Sequence, residues 1–232
     1  MKNFICLSGL PRTGSTLLSS ILFQNPEIHT EGPSPLVQLM WDLKMSLETA
    51  SSSEDLIVSN RQDVKYKLLS SIPEIFYSNT SAKNVFDKQT CWTIPENIQM
   101  IKDYIRPDPK IIVMTRPIEE IIDSFVKIRK ANGWTKNLYK GLVEGDFEIL
   151  GKPIYGVEYA KKSNNGEFLF IEYDDLIDNT VDVLRKIYDF CEIEYFEHDL
   201  NNIENKNPQN DAYLGMIGLH DVRKTISRRG AE

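Results

Sequence analysis

The stretch Phe4-Ile5-Cys6-Leu7-Ser8-Gly9-Leu10-Pro11-Arg12-Thr13-Gly14-Ser15-Thr16-Leu17-Leu18 constrains this chain more than any other. It opens as an apolar run of strand length and breaks into a loop. It restarts with Leu17, Leu18, Ile21 and Leu22 at the spacing of a helix laid on a sheet. Gly9 and Gly14 bracket four residues, as the glycines of a phosphate-binding loop do, and Ser15 and Thr16 open the helix. The first N–H groups of a helix have no partner within it, and its dipole is positive at that end, so the loop is built to meet an anion. One residue sets its chemistry apart. A nucleotide-hydrolysing loop carries Lys before its hydroxyl, where this chain has Ser15, and the cation sits three residues earlier as Arg12.

Four later stretches also read as strands: Ile28 to Glu31, Asn84 to Lys88, the β-branched run Lys110 to Thr115, and Gly166 to Tyr173. Between them lie helical patterns over residues 35–50 and 54–78, after Pro95, and after Pro117, where Ile118, Ile121, Ile122 and Phe125 share one face. A last helix, capped by Asp174-Asp175, carries Leu176, Ile177, Leu184, Ile187 and Tyr188 on one face. Ser51 to Ser53 reads as a surface joint, residues 131–152 as a cover or lid, and residues 194–216 as an irregular excursion.

Strands alternating with helices predict an α/β fold, a P-loop NTPase-like parallel sheet of about five strands with helices on both faces, and residues 1–232 as one domain. Ligands of such sheets lie beyond the carboxyl ends of the strands. The five exits deliver the Arg12 loop, Glu31, Lys88, Arg116 and Tyr173 to that rim, so a convergent site is expected there.

Composition narrows the partners. With 41% hydrophobic and 26% charged residues the chain has the make-up of a soluble globular protein. No apolar run approaches the ~20 residues a membrane helix needs. The apolar N-terminal stretch runs into the Pro11-Arg12 loop instead of a cleavage site, so no membrane partner and a cytoplasmic location are expected. Cys6, Cys91 and Cys191 lack any CxxC spacing, which predicts reduced, mostly buried thiols and no structural zinc. A net charge of −7 argues against broad nucleic-acid binding. Against that trend, Arg223, Lys224, Arg228 and Arg229 face only Asp221 between His220 and Gly230, a basic arm suited to an anionic small molecule. No sequence feature fixes an oligomeric state.

With these residues in view, the chain resembles the sulfotransferases that use 3′-phosphoadenosine 5′-phosphosulfate (PAPS). GLPRTGSTLLSSIL is similar to the 5′-phosphosulfate loop of the soluble bacterial-type members. The resemblance implies that Arg12, Thr13, Gly14, Ser15 and Thr16 hold the phosphosulfate. It extends to a second motif, a strand ending in Arg with a helix Ser eight residues later, which Arg116 and Ser124 match. In the family these two hold the 3′-phosphate. Arg223 or Lys224 resembles the C-terminal segment that closes over the nucleotide at that phosphate. In one respect the chain is similar to the tyrosylprotein branch, where a Glu shortly after the first helix is the base and a Lys after the next core strand lies at the transferred group. Glu31 and Lys88 occupy those stations. The cytosolic small-molecule enzymes have a His after that strand, where this chain reads Phe86-Asp87-Lys88-Gln89-Thr90.

The implied reaction moves a sulfuryl group from PAPS to a hydroxyl or amine of a small-molecule or peptide acceptor, leaves 3′,5′-adenosine bisphosphate (PAP), and uses no metal. Glu31 would be the general base, with His29, on the same face of its strand, as the alternative. Arg12 and Lys88 would stabilise charge on the bridging oxygen. Tyr173 has three readings: packing on the adenine, bonding the 3′-phosphate, or filling the core. Arg116 has a plainer one, pairing with Glu119 or Glu120. Two other functions share the fold. A small-molecule kinase should carry the loop Lys and an acidic magnesium ligand, and a noncatalytic nucleotide-binding protein would keep the loop without turnover.

Overall fold

A computed structural model describes residues 2–134, 147–163 and 165–226. Strands β1 (Asn3–Gly9), β2 (Ile28–Thr30), β3 (Asn84–Lys88), β4 (Lys110–Thr115) and β5 (Phe168–Glu172) form one sheet in the order β2-β3-β1-β4-β5, every neighbouring pair parallel. Parallel neighbours require crossovers, and helices supply them. Helix α1 (Ser15–Leu22) joins β1 to β2. Between β2 and β3 lie α2 (Leu36–Thr49), α3 (Ser51–Val58) and α4 (Asp63–Phe76). Helix α5 (Pro95–Tyr104) precedes β4, α6 (Ile118–Ala131) and α7 (Lys152–Ser163) precede β5, and α8 (Tyr173–Asp178) and α9 (Thr180–Cys191) follow it. The chain winds to one side of β1 as far as β3 and then crosses to β4 on the other. The crevice at the carboxyl end of β1 is therefore the switch point where such sheets bind ligands.

Alternation along the strands divides the apolar residues between two layers. Phe4 and Cys6 of β1, Val85, Ile111 and Val113 pack on one face beneath Leu36, Met40, Trp92, Ile101, Ile121 and Phe125. Ile5 and Leu7, with Phe86, Ile112 and Met114, pack on the other beneath Leu18, Ile21 and Leu22 of α1 and Leu184, Ile187 and Tyr188 of α9. Each such side chain contributes about 1.5–3 kcal/mol by leaving water. That anchorage holds α1, and with it the loop, over the end of β1. Gly9 makes the approach possible: its φ is +114°, and a Cβ there would lie 2.1 Å from the carbonyl oxygen of Met114, to which Leu10 donates a 2.9 Å hydrogen bond.

Some local expectations are corrected. The helical pattern over 54–78 is two helices, because Asn60 turns left-handed (φ +56°) and the Arg61 N–H closes α3 onto Leu56 O at 2.8 Å. Ser51 to Ser53 form the first turn of α3, not a joint. Tyr173 begins α8 instead of ending β5, Asp174 and Asp175 lie inside the first turn of α8, and Asn179 parts α8 from α9. Helix α7 was not foreseen. Of the expected cover, residues 135–146 lie outside the described residues, and Phe147–Gly151 form one π-helical turn leading into α7. Arg228 and Arg229 of the basic arm also lie outside them.

Residues 194–226 contain turns but no helix or strand, and they cross back over the rim as a strap. Asn207 donates to Thr30 O at 3.2 Å. Asn132 at the end of α6 exchanges two bonds with Ile217, at 3.0 and 2.9 Å, and Arg12 donates to Leu219 O. The three cysteines are unpaired, and among the described residues no helix is long and apolar enough to cross a membrane.

Candidate active site

The loop after β1 is shaped by two left-handed residues, Arg12 at φ +62° and Gly14 at φ +81°. Such a backbone costs a non-glycine residue about 1–2 kcal/mol, and it turns the Arg12 side chain across the crevice. Gly14 is the N-cap of α1 and has no side chain to satisfy the first-turn N–H groups, which remain for an anion. Thr13 is fully buried, its hydroxyl donating to Leu10 O at 2.8 Å. The side chain braces the loop and does not line the cleft. Ser15 and Thr16 line the cleft itself.

That cleft has a volume of about 190 Å³, and the sheet order explains what converges on it. Lys88, leaving β3 on one side of β1, donates to the Thr16 hydroxyl at 2.9 Å. Arg116, leaving β4 on the other side, donates to the Arg12 carbonyl at 3.2 Å, and Arg12 Nε donates to Ser124 Oγ of α6 at 3.1 Å. The two sequence motifs thus meet in direct contact. Arg116 also pairs with Glu120, at 2.8 Å, and stacks on the Tyr173 ring at 4.1 Å. The plainer reading of Arg116, pairing with Glu120, is thus what the side chain shows, and the same side chain lines the cleft. One edge of the Tyr173 ring meets Gly14, where an added Cβ would sit 3.0 Å away. Burial, together with the neighbouring Arg12 charge, pushes the Lys88 ammonium down to about 7, against the opposing charge of Asp211.

The strap closes the cleft with Leu219, His220, Asp221, Val222, Arg223 and Thr225. Lys224 is not on this lining; its carbonyl accepts from Ile203 N–H at 2.8 Å. Glu31 does not line it either. Its carboxylate stands 3.6 Å from His29 Nε2, and it borders a smaller cavity behind Thr16 and Lys88, with Thr30, Asn207 and Gln209. Strand β2 stops at Thr30, one residue short of the expected strand, so Glu31 lies just past it with its side chain still beside His29, which is packed edge-on against Phe23 and Tyr77. The sequence reading missed Asp211 and took His220 only as the start of a basic arm, yet the two are bonded at the cleft. Among the described residues no group of three or more His, Cys, Asp or Glu side chains is gathered as a metal site.

Comparison with known proteins bears on the fold and the family. A model of the Sulfotransferase family matches residues 5–197. No curated protein sequence matches the chain. Among solved structures, the sulfotransferase domain of the Synechococcus PCC 7002 olefin synthase is 20% identical, with a TM-score of 0.59 over 86% of this chain and 77% of that one. The sulfotransferase from Alicyclobacillus acidocaldarius is 17% identical, with a TM-score of 0.57 over 86% and 84%. The sulfotransferase domain of the curacin biosynthetic pathway is 18% identical, with a TM-score of 0.53 over 83% and 74%. At these identities the structures show a shared P-loop NTPase-like fold, and they do not bear on the tyrosylprotein branch. The family match begins in the strand that feeds the anion loop and runs past the last helix, and on that extent the chain belongs to the sulfotransferase family.

Proposed function

We propose that this sulfotransferase takes its sulfuryl group from PAPS and passes it to a hydroxyl or amine of a small-molecule or peptide acceptor. The observation that carries the reading is the contact between the two motifs, Arg12 on Ser124 and Arg116 on the Arg12 carbonyl, around one cleft. Its donors suit a ligand with two separate anionic groups. The loop N–H groups, Ser15, Thr16, Arg12 and Lys88 would hold the phosphosulfate. Arg116, Ser124 and Arg223 would hold the 3′-phosphate, with Tyr173 walling the space between. Lys224 would join them only if the strap turned it inward. Bound PAPS supplies an activated sulfuryl group. The protein fixes its anions and presents preorganised positive charge, from Arg12 and Lys88, to the oxygen that departs. A kinase reading is weaker, because Ser15 replaces the phosphate-binding lysine and the nearest lysine reaches the loop from β3.

Thermal stability tests the donor. A ligand that binds only the native state raises the melting temperature, so PAP should raise it and ATP should not. A shift with ATP alone would return the chain to the kinase reading. The acceptor must also lose a proton, and Glu31 is the base that the resemblance selects. If it acts there, Glu31→Gln should bind PAP as the parent does and lose on the order of 10²-fold in turnover. A parent-like rate would move the role to another group on the rim.

A further inference from the structure

The carboxylate that faces Lys88 in the cleft is on the strap. Asp211 is the acidic group whose charge reaches Lys88, whereas Glu31 stands beside His29 and borders the adjoining cavity, which shares Thr16 and Lys88 with the cleft. Asp211 also holds a histidine in two ways. Its Oδ2 accepts the His220 backbone N–H at 2.9 Å, and its Oδ1 meets His220 Nδ1 at 2.5 Å. We propose that His220, oriented by Asp211, is the general base that takes the acceptor's proton. The proposal rests on the sulfuryl-transfer reading of the same cleft and places His220, not Glu31, at the acceptor.

A carboxylate only accepts hydrogen bonds, so Nδ1 carries the imidazole proton and Nε2 keeps its lone pair. The ring lines the cleft together with Arg12, Lys88 and Ser124, and Nε2 has no hydrogen-bond partner among the described residues. Its place is tied to the loop, since Arg12 grips the carbonyl of Leu219, the preceding residue. The charged groups around the ring are Asp211, Lys88 and Arg12, with Asp221 and Arg223 further along the same wall. Burial shifts the ring toward its neutral form, Asp211 opposes that, and Lys88 and Arg12 add to it. A neutral ring with one nitrogen fixed by a carboxylate and the other facing a cleft is the arrangement of a general base with its orienting group.

In the transfer, His220 Nε2 accepts the hydroxyl or amine proton as the acceptor atom bonds to sulfur. The bond between sulfur and the bridging oxygen breaks, and its electron pair leaves on the phosphate oxygen, facing Arg12 and Lys88. The imidazolium is stabilised by Asp211 and returns its proton to solvent after the product departs.

The test compares the parent, His220→Gln, Asp211→Asn and Glu31→Gln, with PAPS and acceptors drawn from phenols, alcohols, amines and tyrosine peptides. His220→Gln should lose about 10²–10⁴-fold in kcat with PAP affinity unchanged. Asp211→Asn should lose less, and its acid limb in kcat/KM should move to lower pH, because the imidazolium has lost its carboxylate. Nitrogen NMR of histidine-labelled protein gives a readout that needs no acceptor: near neutral pH, the His220 ring should be protonated at Nδ1 and bare at Nε2. Parent-like turnover in His220→Gln, PAP affinity falling in step with turnover, or a proton on Nε2 with Nδ1 bare would each overturn the proposal. Failure of the sulfuryl-transfer reading looks different, since the parent itself would then neither bind PAP nor consume PAPS.

Discussion

At the scale of single residues, Lys88 links burial to ligand binding. Its ammonium is held near 7, so at slightly alkaline pH much of it is neutral in the free protein, while a phosphate prefers the charged form. PAP affinity should therefore weaken as pH rises from about 6 to about 9, with proton uptake on binding near pH 8, and Lys88→Met should flatten the dependence. Titration calorimetry in two buffers of different ionisation heat measures both, and a flat parent profile would refute the account. Arg116 and Ser124 invite a contrast instead of a single number. Arg116→Ala and Ser124→Ala should each weaken PAP by about 1.5–3 kcal/mol and weaken a nucleotide lacking the 3′-phosphate much less. Equal losses would mean that the pair supports the cleft generally, through the Glu120 and Tyr173 contacts of Arg116. Arg116 and Ser124 were legible in the sequence through the family resemblance, because that resemblance is carried by a short local spacing. Asp211 and His220 were not, because their partnership forms inside a turn-rich strap with no period to mark it.

At the scale of elements, the loop depends on how closely β1 passes β4. Gly9→Ala would drive a Cβ into Met114 O on a backbone at φ +114°, so its cost in urea unfolding should exceed about 1 kcal/mol by a wide margin. A cost near zero would mean that the loop can lift without loss. The strap is held by hydrogen bonds from α6 and the loop and by Leu219 and Ile203, which are buried in the two core layers. Asn132→Ala removes the two bonds to Ile217 and should speed amide exchange over residues 211–222, with the global unfolding midpoint nearly unchanged. Strand and helix types followed from periodicity. The Asn60 break and helix α7 did not, since a polar surface turn and a partly polar cover helix look alike to a pattern of apolar spacing.

At the scale of the molecule, the strap is also anchored to the core through His198, which meets the Tyr188 hydroxyl at 3.0 Å. Burial holds this imidazole down to about 4. The unfolded chain binds its proton from about 6.5 downward and the native one only near 4, so this stability is present above that window and lost as pH falls through it. His198→Gln should flatten the dependence of the urea midpoint on pH across that interval. Transfer should also persist in excess EDTA, because Arg12, Lys88 and Arg116 bring the positive charge themselves; complete loss restored by magnesium would favour phosphotransfer. The sequence by itself determined the order and kind of most elements, the anion loop and the Arg116-Ser124 motif, because each is written in short-range spacing. Only the tertiary structure decided that β1 lies between β3 and β4, which puts Lys88 and Arg116 on either side of Arg12. It alone set Glu31 at the adjoining cavity behind Thr16 and Lys88 and brought His220 to the cleft. Those outcomes depend on which strands pair and where the strap lands, and such long-range packing and hydrogen bonding leave no repeat along the chain.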